Sequence, residues 1–163
     1  MDIKMNYNWI DYTPACKELI ESWIDEDAKR FTGLDDGFDA YYRYWANDPQ
    51  TKIGTNFWVK IIISDAIPIG IIALSLWNDV FTISEFVIRP DKRGKNLGSS
   101  ALKELLTQSR DIIGIKIETA NAVIFPNNIA SQKAFEKVGF IFHSEHPDGD
   151  ACNYKYYQSA LRS

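Results

Sequence analysis

The chain has 163 residues, 45% of them hydrophobic, with 9 Phe, 8 Tyr and 5 Trp, enough for one well-packed domain spanning 1-163 and too little for two. A net charge of -4 and a pI near 5.2 argue against general nucleic-acid binding, which draws its affinity from phosphate neutralisation. A mean hydropathy of -0.25, with no apolar run near the roughly 20 residues that a bilayer span needs, excludes a transmembrane helix and, with it, a membrane partner.

The N-terminal MDIKMNYNWIDY alternates polar and apolar residues and lacks a secretory h-region, so the cytoplasm is the expected location. Thr13 as N-cap, Pro14 at the first helical position, and Cys16, Leu19, Ile20, Trp23, Ile24, Ala28 and Phe31 at helical spacing predict one amphipathic helix over 14–30. After GLDDG, Phe38, Tyr41, Tyr42, Trp45 and Ala46 predict a second helix, whose aromatic stripe suits either core packing or substrate contact. From Asp11 to Asp48 ten acidic residues stand against four basic. That excess either is solvated or draws a cationic partner.

From Phe57 to Arg89 the period changes. NFWVKIIIS, IGIIALSLW and VFTISEFVI predict three antiparallel strands, joined by turns at DAIP and Asn78-Asp79. A helix from Gly98 to Ile113, stopped by Gly114, leads to a strand at IKIETAN. That connection is a βαβ unit, so its two strands should be parallel. Asn127 and Asn128 can cap a further helix with Ala130, Ala134, Phe135 and Val138 inward and Gly139 as its left-handed cap. IFHSEH and CNYKYYQS suit two last strands around a PDGD turn. Cys16 and Cys152 are isolated, without CxxC spacing, so neither a disulfide framework nor a metal is expected.

Within this order Ile83 to Leu102, ISEFVIRPDKRGKNLGSSAL, passes from a strand through a Pro-marked break and a basic loop into a helix. Such a loop leaves main-chain N–H groups of Arg93 to Gly98 unpaired and aimed at one point, where the helix dipole favours an anion. Arg93 and Lys95 add positive charge. A P-loop is excluded, because its Lys must directly precede Ser/Thr and here Gly98 precedes Ser99. An ordinary helix N-terminus with surface charge remains the plainest alternative.

Two separated motifs resemble the GNAT superfamily of N-acetyltransferases. Arg93-Gly94-Lys95-Asn96-Leu97-Gly98 follows that family's Q/R-x-x-G-x-G/A signature except at Asn96, where Gly is usual, and Asn128 to Phe140, NIASQKAFEKVGF, is similar to its second cofactor-contacting helix. The resemblance covers nearly the whole chain. It implies a single-domain α/β fold with a mixed sheet of six to seven strands, about four helices and a central parallel pair. It further implies acetyl-CoA as co-substrate, with the pyrophosphate on Arg93, Gly94, Lys95, Asn96, Leu97 and Gly98 and a further hydrogen bond from Ser99. The two parallel strands are expected to splay, freeing the backbone of Phe86, Val87 and Ile88 for the pantetheine amides, beside Asn128, Ser131 and Phe135. Asn tolerates positive φ better than most residues and can stand in for Gly at 96.

The implied activity is acetyl transfer to a primary amine of a small molecule or peptide by direct attack in a ternary complex. A non-catalytic acyl-CoA-binding module or sensor is the alternative. Glu85 is the candidate base, although its parity with Phe86 puts the two on opposite faces unless a bulge intervenes. Many relatives carry a proton-donating Tyr where this chain has Phe135, so the candidate hydroxyls for the leaving thiolate are Tyr154, Tyr156 and Ser131. His143 and His146 lie away from the motifs. The acidic N-terminal third suits a cationic amine acceptor, and, as many relatives dimerise, a homodimer is open.

Overall fold

Runs of β-branched residues too apolar to face water on either side build the middle of one seven-stranded sheet. It is seen in the computed structural model, which describes residues 5–145 and 152–157. The strands are β1 (Asn8–Asp11), β2 (Phe57–Ser64), β3 (Ile67–Trp77), β4 (Val80–Ile88), β5 (Thr119–Ile124), β6 (Ile141–Glu145) and β7 (Cys152–Tyr157), in the order β1-β2-β3-β4-β5-β7-β6. All neighbours pair antiparallel except β4 and β5, which are parallel and follow the predicted βαβ connection. Both predicted hairpin turns are present. Asp65 and Ala66 (φ 50 and 66) and Asn78 and Asp79 (φ 50 and 64) take the two left-handed conformations that the twist of a tight hairpin requires.

The helices are α1 (Lys17–Glu21), α2 (Glu26–Thr32), α3 (Phe38–Ala46), α4 (Leu97–Thr107), α5 (Ser109–Ile113) and α6 (Ile129–Lys137). This is two more than the sequence suggested, because two predicted helices are broken. The 14–30 helix starts as a 3-10 turn at Pro14–Cys16 and stops at Glu21, where Trp23 N–H and Ile24 N–H turn back to Ile20 and Glu21 carbonyls. Trp23 and Ile24 are both buried at this break. Asp25 then caps a fresh helix. Thr13 occupies the predicted N-cap place with extended backbone, and its side chain makes no cap bond.

The second break falls at Gln108, and beyond it the buried Ser109 hydroxyl accepts a 2.8 Å bond from Ile117 N–H. That bond fixes 115–118 as a connection, so the strand expected at IKIETAN starts later, at Thr119. Gly114 closes α5 with φ 83, as expected of a helix stop. β1 has no counterpart among the predicted strands. At four residues on a sheet edge it is too short to show a period, and its place depends on Glu104 of α4. That buried carboxylate accepts from Asn6 N–H (2.8 Å), Tyr7 N–H (3.1 Å) and Trp9 Nε1 (3.1 Å).

Two cores lie on the two faces of the sheet. Ile72, Leu74, Phe81 and Ile83 meet α4 and α5 on one side, with Phe135 of α6 in the same cluster. Ile71, Ala73 and Val87 meet α1 to α3 on the other. The aromatic stripe of α3 falls mostly into this second core. Among the described residues no helix is long and apolar enough to cross a membrane. Half-buried Cys16 is a free thiol, exposed His143 Nδ1 lies 3.1 Å from Ser144 Oγ, and the predicted PDGD turn and His146 lie outside the described residues.

Replacing Glu104 with Ala strands three donors, at least one of them buried, at a cost of about 1–3 kcal/mol for each that finds no water. Glu104→Ala should therefore lose about 3 kcal/mol or more in urea melts, while Glu136→Ala, an exposed site on α6, stays within about 0.5 kcal/mol of the parent.

Candidate functional site

The parallel pairing of β4 with β5 covers three residue pairs, Phe81 with Ala120, Thr82 with Asn121 and Ile83 with Ala122. Beyond Ile83 the strands part. Just there β4 carries a bulge: Leu74 pairs with Ile83 and Ala73 with Glu85, so Ser84 is the extra residue. The gap opens into a cleft of about 480 Å³, walled by α2, the end of β4, the loop after it and α6. A smaller cleft of about 50 Å³ lies deeper, between 83–86 of β4 and 122–125 after the split.

The loop has the expected construction. Pro90–Lys92 form a 3-10 turn, Gly94 has φ 77 and Asn96 has φ 61 with ψ 14, so Asn occupies the left-handed position as expected. Gly98 matters for a different reason: a Cβ there would lie 3.3 Å from Ile88 Cγ1 and 3.7 Å from Phe86, so a side chain would press on Ile88 where α4 starts close to β4. The first helical bond runs from Ser100 N–H to Asn96 O at 3.1 Å. The N–H groups of Leu97, Gly98 and Ser99 are thus the open donors of the helix. Ser99 Oγ donates to Asn96 O at 3.2 Å and so braces the loop itself.

Phe86, Val87, Ile88, Arg93, Gly94, Asn96, Leu97, Gly98, Ser99, Asn128, Ser131 and Phe135 all line the large cleft. Lys95 is not among its lining residues. In its stead Lys92, Lys133 and Lys137 bring positive charge to it. Sequence reasoning passed over these three, though the four-residue spacing of Lys133 and Lys137 on the helix of the second motif was a readable signal. Asn128 caps α6, its Oδ1 accepting from Ser131 N–H at 3.2 Å. Phe135 is buried beneath the channel, edge-on to Phe86 at 6.0 Å and to Phe140 at 4.9 Å. Ala130, expected inward, is exposed on the cleft wall.

Glu85 lines the small cleft, with Phe31, Phe86, Phe125 and Phe135 around the same space. It pairs with Ala73 and Phe86 with Ile72, so the two do lie on opposite faces; both line the small cleft because the strands have separated. Burial pushes the Glu85 carboxyl up to about 8. Tyr154 is set differently. It is buried in the core shared with α4, edge-on to Phe142 at 5.9 Å, and lines neither cleft. Tyr156 sits in the same core, tilted against Phe140.

One wall of the large cleft was invisible in the sequence. α2 contributes Asp27, Ala28, Phe31 and Thr32, and the loop holds it there through Arg93. Arg93 Nη1 and Nη2 donate to the Asp25 carboxylate at 2.9 and 3.4 Å, and Nε donates to Ile88 O at 2.9 Å. Asp25 also accepts from Ala28 N–H at 2.9 Å as the cap of α2. Burial alone would raise the Asp25 carboxyl, yet the Ala28 bond and the Arg93 guanidinium outweigh it and hold the group below the usual range. The Arg93 side chain is thereby committed to α2.

Much of the acidic excess is spent in the same way. Asp39 accepts from Tyr12 Oη and Arg43, Glu21 accepts from Asp39 N–H, and Asp11 pairs with Lys60. Of the ten acidic residues from 11 to 48, only Asp27 lines the large cleft. Among the described residues no group of three or more His, Cys, Asp or Glu is placed to hold a metal ion.

Comparison with known proteins bears on this geometry. The family model for "Acetyltransferase (GNAT) family" matches residues 16–140, which include the loop, the parting strands and all of α6. The chain belongs to the GNAT acetyltransferase family. It is thus an acyltransferase by membership, with the mixed sheet and central parallel pair of that fold. No curated protein matches it by sequence. Among solved structures it is similar to AAC(6')-Ib in complex with paromomycin and acetyl-CoA (TM-score 0.76, 16% identity, 97% of each chain covered). It is also similar to an acetyltransferase from Thermus thermophilus (TM-score 0.72, 17% identity, 94% of this chain and 97% of that one). A third is a chimera of spermidine N-acetyltransferase SpeG from Vibrio cholerae and hSSAT (TM-score 0.71, 14% identity, 98% and 100%). At these identities the likeness is one of fold.

Asp25→Ala removes a cap and an ion-pair partner and should lower stability by roughly 1–2 kcal/mol at pH 7, whereas Asp25→Asn, which can still cap, should lose less. Because the folded carboxyl titrates below the unfolded one, its stabilisation is present above the unfolded value and lost as pH falls through the folded one. The gap between parent and Asp25→Ala in denaturant melts should accordingly narrow below about pH 4.

Proposed function

We propose that this chain moves the acetyl group of acetyl-CoA to a primary amine of a small molecule or peptide by direct attack in a ternary complex. The observation that carries this reading is the adjacency of two clefts that share Phe86, Asn128, Ser131 and Phe135: the large one holds the open donors at the start of α4 and the parted end of β4, and the small one holds Glu85. The solved structures it resembles include one holding an aminoglycoside with acetyl-CoA and one of a spermidine N-acetyltransferase. They support an amine acceptor, and a cationic one.

In this reading the pyrophosphate takes the N–H groups of Leu97, Gly98 and Ser99 and those of Gly94 to Asn96 before them, where the helix dipole favours it. Lys92, Lys133 and Lys137 add charge from the cleft wall. Backbone groups of Phe86, Val87 and Ile88 pair with the pantetheine amides, with Asn128 and Phe135 beside that arm. One of the same N–H groups polarises the thioester carbonyl. The acceptor arrives as an ammonium with no lone pair and gives a proton to the Glu85 carboxylate. The freed lone pair attacks the thioester carbon, the C–N bond forms, the C–S bond breaks, and the second proton that the nitrogen sheds on becoming an amide passes to the departing CoA thiolate.

Phe135 has no proton to give that thiolate, and Tyr154 lies in the core. Ser131, which lines both clefts, is the hydroxyl we assign to it, together with nearby amide N–H groups. A non-catalytic acyl-CoA sensor is the competing reading, and Phe135 is the feature that favours it.

Thiol release from acetyl-CoA against an amine panel that includes spermidine and aminoglycosides decides between them. Acceptor-dependent release is expected; tight CoA binding without any such release would favour the sensor. Glu85→Gln should lower kcat/KM for the acceptor by about 10²–10⁴-fold with unchanged CoA affinity, and the parent's rate should rise with pH to a plateau above about 8. The sign of the stability effect is opposite to that of Asp25. Unfolded Glu85 ionises near its ordinary value and folded Glu85 near 8, so the native state holds more protons between these and loses stability as pH rises through that window. Glu85→Gln should be spared that loss, and melts at pH 5 and pH 9 would reveal it.

A further inference from the structure

Between α3 and the β3–β4 hairpin lies a polar group that the steps above leave unused. The bulge brings Ser84 and Glu85 to the side of the sheet that α1 to α3 cover. Glu85 pairs with Ala73 of that core, and Ser84 Oγ lies 3.5 Å from Ser75 Oγ. Tyr41 comes to the same place from α3, its ring 5.5 Å from Phe38 and 6.4 Å from Phe57. Its hydroxyl is buried and makes no hydrogen bond of normal geometry, with Ser84 as its near neighbour. After burial itself, the Glu85 carboxyl is what most raises the ionisation of this phenol.

A buried hydroxyl without a full partner is costly, and Phe would fill the same space without that cost. Glu85 has the complementary need. Among the residues lining the small cleft it alone ionises, Ser84 precedes it and Tyr41 of α3 is placed to act on both, and no cation pairs with it among the described residues. A protonated carboxyl tolerates such surroundings, but a carboxylate requires a donor. We propose that Tyr41 is the positioning residue for Glu85: its hydroxyl donates to one carboxylate oxygen once the proton has gone, and turns the other toward the small cleft to receive the proton of the acceptor ammonium. This rests on Glu85 as the base. Tyr41 does not touch the acceptor, since it lines neither cleft.

The test uses Tyr41→Phe, which keeps the ring between Phe38 and Phe57. A carboxyl ¹³C NMR titration of Glu85 needs no acceptor and reads the hydrogen bond directly. A lost bond to the ionised form should move the Glu85 midpoint up by about one pH unit. With spermidine as acceptor, kcat/KM at pH 7 should fall about tenfold while the KM for acetyl-CoA and the thermal midpoint hold or the midpoint rises. An unshifted Glu85 titration overturns the proposal, and a higher thermal midpoint beside it would mark Tyr41 as a packing residue only. Glu85→Gln run in parallel separates the two levels. If it keeps full turnover, the base assignment fails and Tyr41's role with it; if it is inactive while Tyr41→Phe matches the parent in titration and rate, only the role of Tyr41 falls.

Discussion

Because β4 and β5 pair over only three positions, the sheet opens in its middle, and everything that makes this protein a candidate catalyst is arranged around that opening. Parallel strands need a crossover, and here the crossover is α4, so the helix N-terminus is delivered to the same end of the sheet as the gap. A helix start presents donors and a gap presents an unpaired strand edge. In the proposed function their meeting is the polar track for a long, anionic, amide-bearing co-substrate. Gly98 and the left-handed Asn96 are the local conditions for that meeting, since a Cβ at 98 would crowd Ile88 and Phe86.

The single extra residue of the Ser84 bulge has a consequence out of proportion to its size. It carries Glu85 into a space bounded by Phe31, Phe86 and Phe135, where burial rather than a neighbouring charge lifts the carboxyl toward the range in which a base works efficiently at neutral pH. The same bulge gathers Ser75, Ser84 and Tyr41 behind it. On the opposite wall the Asp25–Arg93 pair ties α2 to the loop. The Arg93 cation, expected from the motif to face an anion, is thereby used to hold the wall, and Lys92, Lys133 and Lys137 line the cleft instead.

The elements most legible in the sequence were those whose signal is local. The three long strands, both hairpin turns, α3, the capped α6 and the basic loop could be read because each is written in a period or in turn residues at fixed offsets. The errors share a cause. The 14–30 helix breaks before Asp25, which caps a fresh helix and pairs with the remote Arg93, the strand after α5 is delayed by the Ser109–Ile117 bond, and β1 is held by a carboxylate almost a hundred residues away. Each of these depends on partners that are remote or irregular, which no window of residues contains.

The same division runs through the site. By itself the sequence determined the family signature, the three long strands and the basic loop that follows them, the capped α6 and the absence of a Tyr at 135, because these depend on residue identity and spacing. Only the tertiary structure decided that Glu85 is buried beside the small cleft, that Tyr154 lines neither cleft, that Arg93 faces Asp25, and that α2 forms a wall. Those outcomes follow from one bulged residue, from which face of a strand is covered, and from a competition between carboxylates for a cation. They are matters of three-dimensional neighbours, and the chain's own order is silent about them.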